Sequence, residues 1–171
     1  MLNRLKDVFA SFERHEVQYV IIGGIAAILH GVPRATFDLD VLIEPTPENA
    51  RRLLAALLEA GLGTASLTNP EDLLANEITV FRDKVRIDVQ TSTPGLEFNQ
   101  AWSRRDVMVY QGQKFLVACK TDLIASKKAA GRAVDREDVV SRPLRKAAFL
   151  AGSNWTQQKI VVMNLDSPEW R

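Results

Sequence analysis

An α+β fold is what this sequence predicts, and three features carry the prediction. Two hairpin patterns stand out, Glu77–Phe81 with Lys84–Gln90 and Asp106–Tyr110 with Lys114–Val117. Two further runs, Gln18–Ile22 and Phe37–Ile43, have the composition of buried strands. Helical periodicity appears before, between and after them.

The elements follow in chain order. Leu2, Leu5, Val8, Phe9 and Phe12 recur at helical spacing, so the chain opens on an amphipathic helix. Gln18–Ile22 is a strand that runs directly into Gly23-Gly24. Ile25–Leu29 is then a short helix, stopped by Gly31. In Phe37–Ile43, strict alternation sets Asp38 and Asp40 on one face and Phe37, Leu39 and Val41 on the other. Thr46-Pro47-Glu48 has the chemistry of a helix start: a hydroxyl cap, proline in the first turn, then an acid. The helix it opens carries Leu53, Leu54, Leu57 and Leu58 and ends at Gly61. The first hairpin turns at Arg82-Asp83 and the second at Gln111-Gly112-Gln113. Thr121–Ala130 is a helix closed by Gly131. Another helical stretch follows Asp135 and breaks or restarts near Pro143. Lys159–Asn164 reads as a last strand. One domain over 1–152 and a C-terminal extension over 153–171 are expected.

Composition narrows the class. At 171 residues, with 46% hydrophobic and 25% charged residues, the chain suits one ordinary globular domain. A net charge of +1 gives no bulk signal of nucleic-acid binding. The single cysteine, Cys119, excludes an internal disulfide framework, fits a reducing compartment and is expected in the core. Met1–Glu13 is charged every few residues and does not read as a signal peptide. No apolar run approaches the roughly 20 residues of a membrane helix. A cytoplasmic protein with no membrane partner is expected.

Three places carry chemistry. In the first, a strand ends in Gly23-Gly24 and a helix begins at once. Glycine permits close approach of backbone to a ligand, and a helix N-terminus offers free N–H groups to an anion; a plain tight turn has the same sequence. The second is Asp38 with Asp40, two carboxylates on one strand face. A divalent cation such as Mg²⁺ or Mn²⁺ would offset their repulsion, as would solvation on an edge strand. The third is Asp88 within Val85-Arg86-Ile87-Asp88-Val89, an acid mid-strand between apolar neighbours. It is either an outward residue sharing a face with Arg86 and Gln90, or the third member of a metal site, if its strand lies beside that of Asp38 and Asp40.

The stretch from Gly23 to Asp40, followed by Asp88 on a later strand, resembles the nucleotidyltransferase superfamily related to DNA polymerase β. Within it the sequence is most similar to bacterial AbiEii-type toxins and uncharacterised nucleotidyltransferases. Arg34-Ala35-Thr36-Phe37-Asp38-Leu39-Asp40 matches that group's Arg-x-Thr/Ser-x-Asp-x-Asp. The run from Asp122 through Lys127, Lys128 and Gly131 to Asp135 and Asp138 is similar to its lysine helix and the helix start that follows.

The resemblance implies a mixed, mostly antiparallel sheet flanked by helices. It also implies roles. Asp38, Asp40 and Asp88 would bind Mg²⁺ or Mn²⁺ and form the catalytic triad of acids. Gly23 and Gly24 would hold an NTP triphosphate through backbone N–H groups, with Arg34, Thr36, Lys127 and Asp138 completing the nucleotide site. Capping explains Lys127 and Asp138 equally simply, and Arg34 is balanced between phosphate contact and a clamp on Asp38. Gly24 departs from the serine found in many active members. His30 is expected to be a packed helix-end residue.

The activity implied is transfer of NMP from an NTP to a hydroxyl of tRNA, protein or a small molecule, with a cognate toxin or antitoxin as partner. A nucleotide-binding module with little turnover is the alternative. Arg51, Arg52, Arg82, Lys84, Arg86, Arg104, Arg105, Lys127, Lys128 and Arg132 are the candidates for a basic groove.

Overall fold

Tyr19–Ile22 forms β1, buried along its whole length, and the remaining strands assemble around it. The computed structural model of the chain describes residues 2–33, 35–131 and 160–162. The element order is α1 (Leu2–Arg14), β1, α2 (Gly23–Leu29), β2 (Asp38–Ile43), α3 (Pro47–Glu59), a 3₁₀ turn (Gly63–Leu67), α4 (Pro70–Ala75), β3 (Ile78–Arg82), β4 (Arg86–Gln90), α5 (Phe98–Arg104), β5 (Asp106–Tyr110), β6 (Gln113–Val117), α6 (Lys120–Ala130) and β7 (Ile160–Val162).

The described strands make one sheet in the order β3-β4-β2-β1-β6-β5-β7. Antiparallel pairing joins β1 to β2, β3 to β4 and β5 to β6; β1 with β6 and β2 with β4 are parallel. The first six strands are thus mostly antiparallel, and the three-residue β7 adds a parallel edge to β5. This is the α+β architecture that the sequence predicts, with the mixed, helix-flanked sheet that the resemblance implies.

One face of the sheet is closed by α1 and α3. Phe12 of α1 meets Tyr19 edge-on at 4.8 Å between ring centroids, and Phe9 stacks on Phe115 of β6 at 5.1 Å. Leu53, Leu54, Ala56 and Leu57 of α3 are buried beside them. Ser11, buried between the two helices, donates to the Ala56 carbonyl at 2.8 Å, so its hydroxyl is not left unpaired in the core. Asn49 of α3 staples the strand ends. Its Oδ1 accepts from the Gln18 N–H at 2.8 Å, while its Nδ2 donates to the carbonyls of Gln18 and Glu44 at 2.9 and 3.0 Å. The helix itself starts as predicted: Thr46 accepts from the Asn49 N–H and Pro47 follows.

Several boundaries differ from the sequence reading. α2 begins at Gly23, two residues before the expected Ile25. β2 begins at Asp38, so Phe37 precedes the ladder; instead of packing beside Leu39 and Val41 it is 90% exposed. The first hairpin turns over Asp83–Val85, where Asp83 accepts from the Thr64 N–H at 3.1 Å. Cys119 is half-buried at the N-cap of α6, with burial pushing its thiol up. The helical stretch expected after Asp135 lies outside the described residues. Among the described residues no helix is long and apolar enough to cross a membrane.

Candidate active site

The β2–β4 ladder brings the three acids together. These strands pair in parallel with Asp38 opposite Arg86, Asp40 opposite Asp88 and Leu42 opposite Gln90. Residues in register on adjacent strands share a face, so Asp38, Asp40 and Asp88 stand on one side of the sheet. Leu39, Val41, Ile87 and Val89 point to the other side and are buried.

The diglycine turn closes over the same spot. Ile22, the last residue of β1, is in register with Asp40, so the chain enters α2 beside that carboxylate. Gly23 has φ +66°, and a Cβ there would lie 2.1 Å from Asp40 Oδ2. Any side chain would demand both a left-handed backbone and the space the carboxylate fills. A Cβ on Gly24 would come within 2.9 Å of Thr36 Oγ1. The place of the serine side chain absent at position 24 is therefore already taken by Thr36. Ile22, at the N-cap of α2, provides no side-chain cap.

Each acid is held by a neighbour. Thr36 Oγ1 donates to Asp38 Oδ1 at 2.5 Å. Gln90 Nε2 reaches Asp40 Oδ1 at 3.4 Å. Asp88, 8% exposed, accepts from Arg86 twice: Nε to Oδ1 and Nη2 to Oδ2, both 2.8 Å. Those bonds and the charge of Asp88, followed by the fields of Asp38 and Asp40, push the Arg86 guanidinium further up. Among the described residues no group of three or more His, Cys, Asp or Glu side chains stands in a ready ligating arrangement. The acids share a face, but Asp88 is turned onto Arg86.

The donor chemistry nevertheless fits a hard divalent cation. Three carboxylates on one face, beside a backbone turn kept bare of side chains, are the oxygen-rich surroundings Mg²⁺ and Mn²⁺ take.

The other predicted residues are distributed as follows. Lys127 is half-buried in the last turn of α6, and Lys128 beside it is exposed. α6 is anchored at its first turn, where Arg104 Nη2 donates to buried Asp122 Oδ1 at 2.5 Å, and it packs against α2. Arg34 and Asp138 lie outside the described residues. His30 sits partly buried at the C-cap of α2, with its Nε2 2.8 Å from the Ala118 carbonyl. Arg86 and Gln90 share the face of Asp88, as one reading of the sequence had it; their hydrogen bonds to Asp88 and Asp40 are what the sequence did not assign. Their signal was positional, since both share strand parity with Asp88.

The mixed sheet with flanking helices, and acids on two adjacent strands beside a diglycine turn, is the arrangement that the resemblance to nucleotidyltransferases implies. Residues 3–150 match the family described as "Nucleotidyltransferase of unknown function (DUF6036)", and the chain belongs to that family. Its fold is similar to the crystal structure of a "putative nucleotidyltransferase" from Thermotoga maritima, with a TM-score of 0.56 and 15% identity over 80% of this chain and 88% of the other. Comparison with curated proteins returns no match.

Proposed function

We propose that this protein transfers a nucleoside monophosphate from an NTP to an acceptor hydroxyl, releasing pyrophosphate. The observation carrying this reading is the register of Asp40 with Asp88, with Asp38 one step along the same face and Gly23 packed on Asp40. In the reaction the acceptor oxygen bonds to the α-phosphorus, the bond from that phosphorus to the bridging β-phosphate oxygen breaks to release pyrophosphate, and the acceptor's proton passes to the Asp88 carboxylate. A bound divalent cation supplies positive charge to the phosphates.

The chain's own residues supply the rest. Asp38, Asp40 and Asp88 hold the cation, and Asp88 helps to activate the acceptor hydroxyl. Thr36 fixes the Asp38 carboxylate by its hydrogen bond. The N–H groups of Gly23 and Gly24 take the triphosphate, with Arg34, Thr36, Lys127 and Asp138 completing the nucleotide site. Similarity of the Arg34–Asp40 and Asp122–Asp138 segments to AbiEii-type proteins favours a toxin–antitoxin role with a tRNA or protein acceptor.

The test is incubation of α-labelled NTPs and Mg²⁺ with total tRNA and, separately, with lysate protein. Label is expected in one acceptor pool with the wild-type protein and none with Asp38→Asn. No labelled product and no NTP binding by calorimetry would contradict the reading.

A further inference from the structure

Arg86 stands opposite Asp38 in the β2–β4 ladder and two residues before Asp88 on the same face. Its planar fork engages both oxygens of the Asp88 carboxylate, at 2.8 Å each. A two-pronged guanidinium–carboxylate pair is among the stronger polar contacts available to a protein. The Asp88 side chain is 12% exposed and that of Arg86 46%, so the pair presents its cationic partner to solvent. Three acids share this face, yet no three of the described acids are disposed as ligands.

We propose that Arg86 is a resident counter-cation that neutralises the acid face of the metal-free protein and must release Asp88 before all three carboxylates bind a divalent ion. Arg86 thereby gates metal loading. The inference rests on the nucleotidyltransferase reading and adds a competitor to it. Three carboxylates without a cation repel one another, and the guanidinium offsets that repulsion until a metal replaces it. A residue that merely oriented Asp88 for the metal would act with the opposite sign, because its loss would weaken metal binding. The direction of the effect separates the two.

The experiment is calorimetric titration of the full chain with MnCl₂, without nucleotide. Arg86→Gln is expected to bind Mn²⁺ roughly tenfold more tightly than wild type, the scale of one lost charge-assisted bond at a half-exposed site. Arg86→Lys keeps the charge but not the fork and falls between them. The gap in Tm between Mn²⁺-saturated and metal-free protein widens in Arg86→Gln, because only the metal-free form loses its counter-ion. Unchanged or weaker Mn²⁺ binding in Arg86→Gln, with wild-type binding abolished by Asp38→Asn, overturns the gate and leaves the enzyme reading standing. Absence of Mn²⁺ binding in wild type and Arg86→Gln alike overturns both. Should Arg86→Gln fail to fold, Arg86→Lys decides: tighter binding supports the gate, and unchanged or weaker binding overturns it.

Discussion

On one side of β2, Leu39, Val41 and Ile43 are at most 1% exposed and lie on the face that α1 and α3 cover. On the other side, Asp38 and Asp40 remain partly exposed beside Asp88 and Arg86, and only Leu42, further along, is buried. The same six residues therefore serve two environments. The apolar side ties the strand to the core. The acidic side accumulates negative charge at the strand end where Ile22 leads into the diglycine turn, and it needs hydroxyl, amide and guanidinium partners to stay in place. Stability and charge are thus separated across one strand, so each can be altered with little effect on the other.

The largest expected effect comes from the covered side. Phe12 is fully buried against Tyr19, and Phe12→Ala is expected to cost about 3–5 kcal/mol in urea unfolding, while the Mn²⁺ affinity of the folded fraction stays unchanged. Loss of metal affinity in proportion to stability would break the separation.

The junction comes next. Gly23→Ala forces a side chain into a left-handed backbone and onto the Asp40 carboxylate, so stability is expected to fall by roughly 1–3 kcal/mol and Mn²⁺ affinity with it. Here alone both measurements should move together.

The smallest effect is a pH dependence on the covered side. Burial pushes the Tyr19 phenol above its usual 10.0. The unfolded chain therefore releases this proton at a lower pH than the folded one. Stability is insensitive to Tyr19 ionisation below about pH 10 and falls as pH rises beyond it. Tyr19→Phe is expected to flatten that alkaline decline in thermal melts taken across the range, and to leave metal affinity unaltered.

Much of this division was legible in the sequence. Alternation in Asp38–Ile43 separates acids from aliphatics, and Thr46-Pro47-Glu48 states where α3 starts because capping is a local interaction. What was missed is non-local or short. Asn49 looks like any helix residue until Gln18 and Glu44 are brought to it. The grip of Arg86 on Asp88 follows from strand parity, but its two-pronged form depends on side-chain rotamers that no pattern encodes. α4 has the same grammar as α3, with Asn69 accepting from the Asp72 N–H and Pro70 following; six residues were too few for a periodicity. Phe37 obeyed alternation on paper and not in space, because the ladder begins one residue later.

A cation held by the acid face of β2 and β4 would lie beside the diglycine turn. Mn²⁺-induced broadening of backbone amide signals in the isotopically labelled 171-residue chain locates it. Broadening is expected to centre on residues 23–24, 38–40 and 86–88, and to be lost in Asp38→Asn. Broadening centred on β5 and β6, or surviving Asp38→Asn, would contradict that placement.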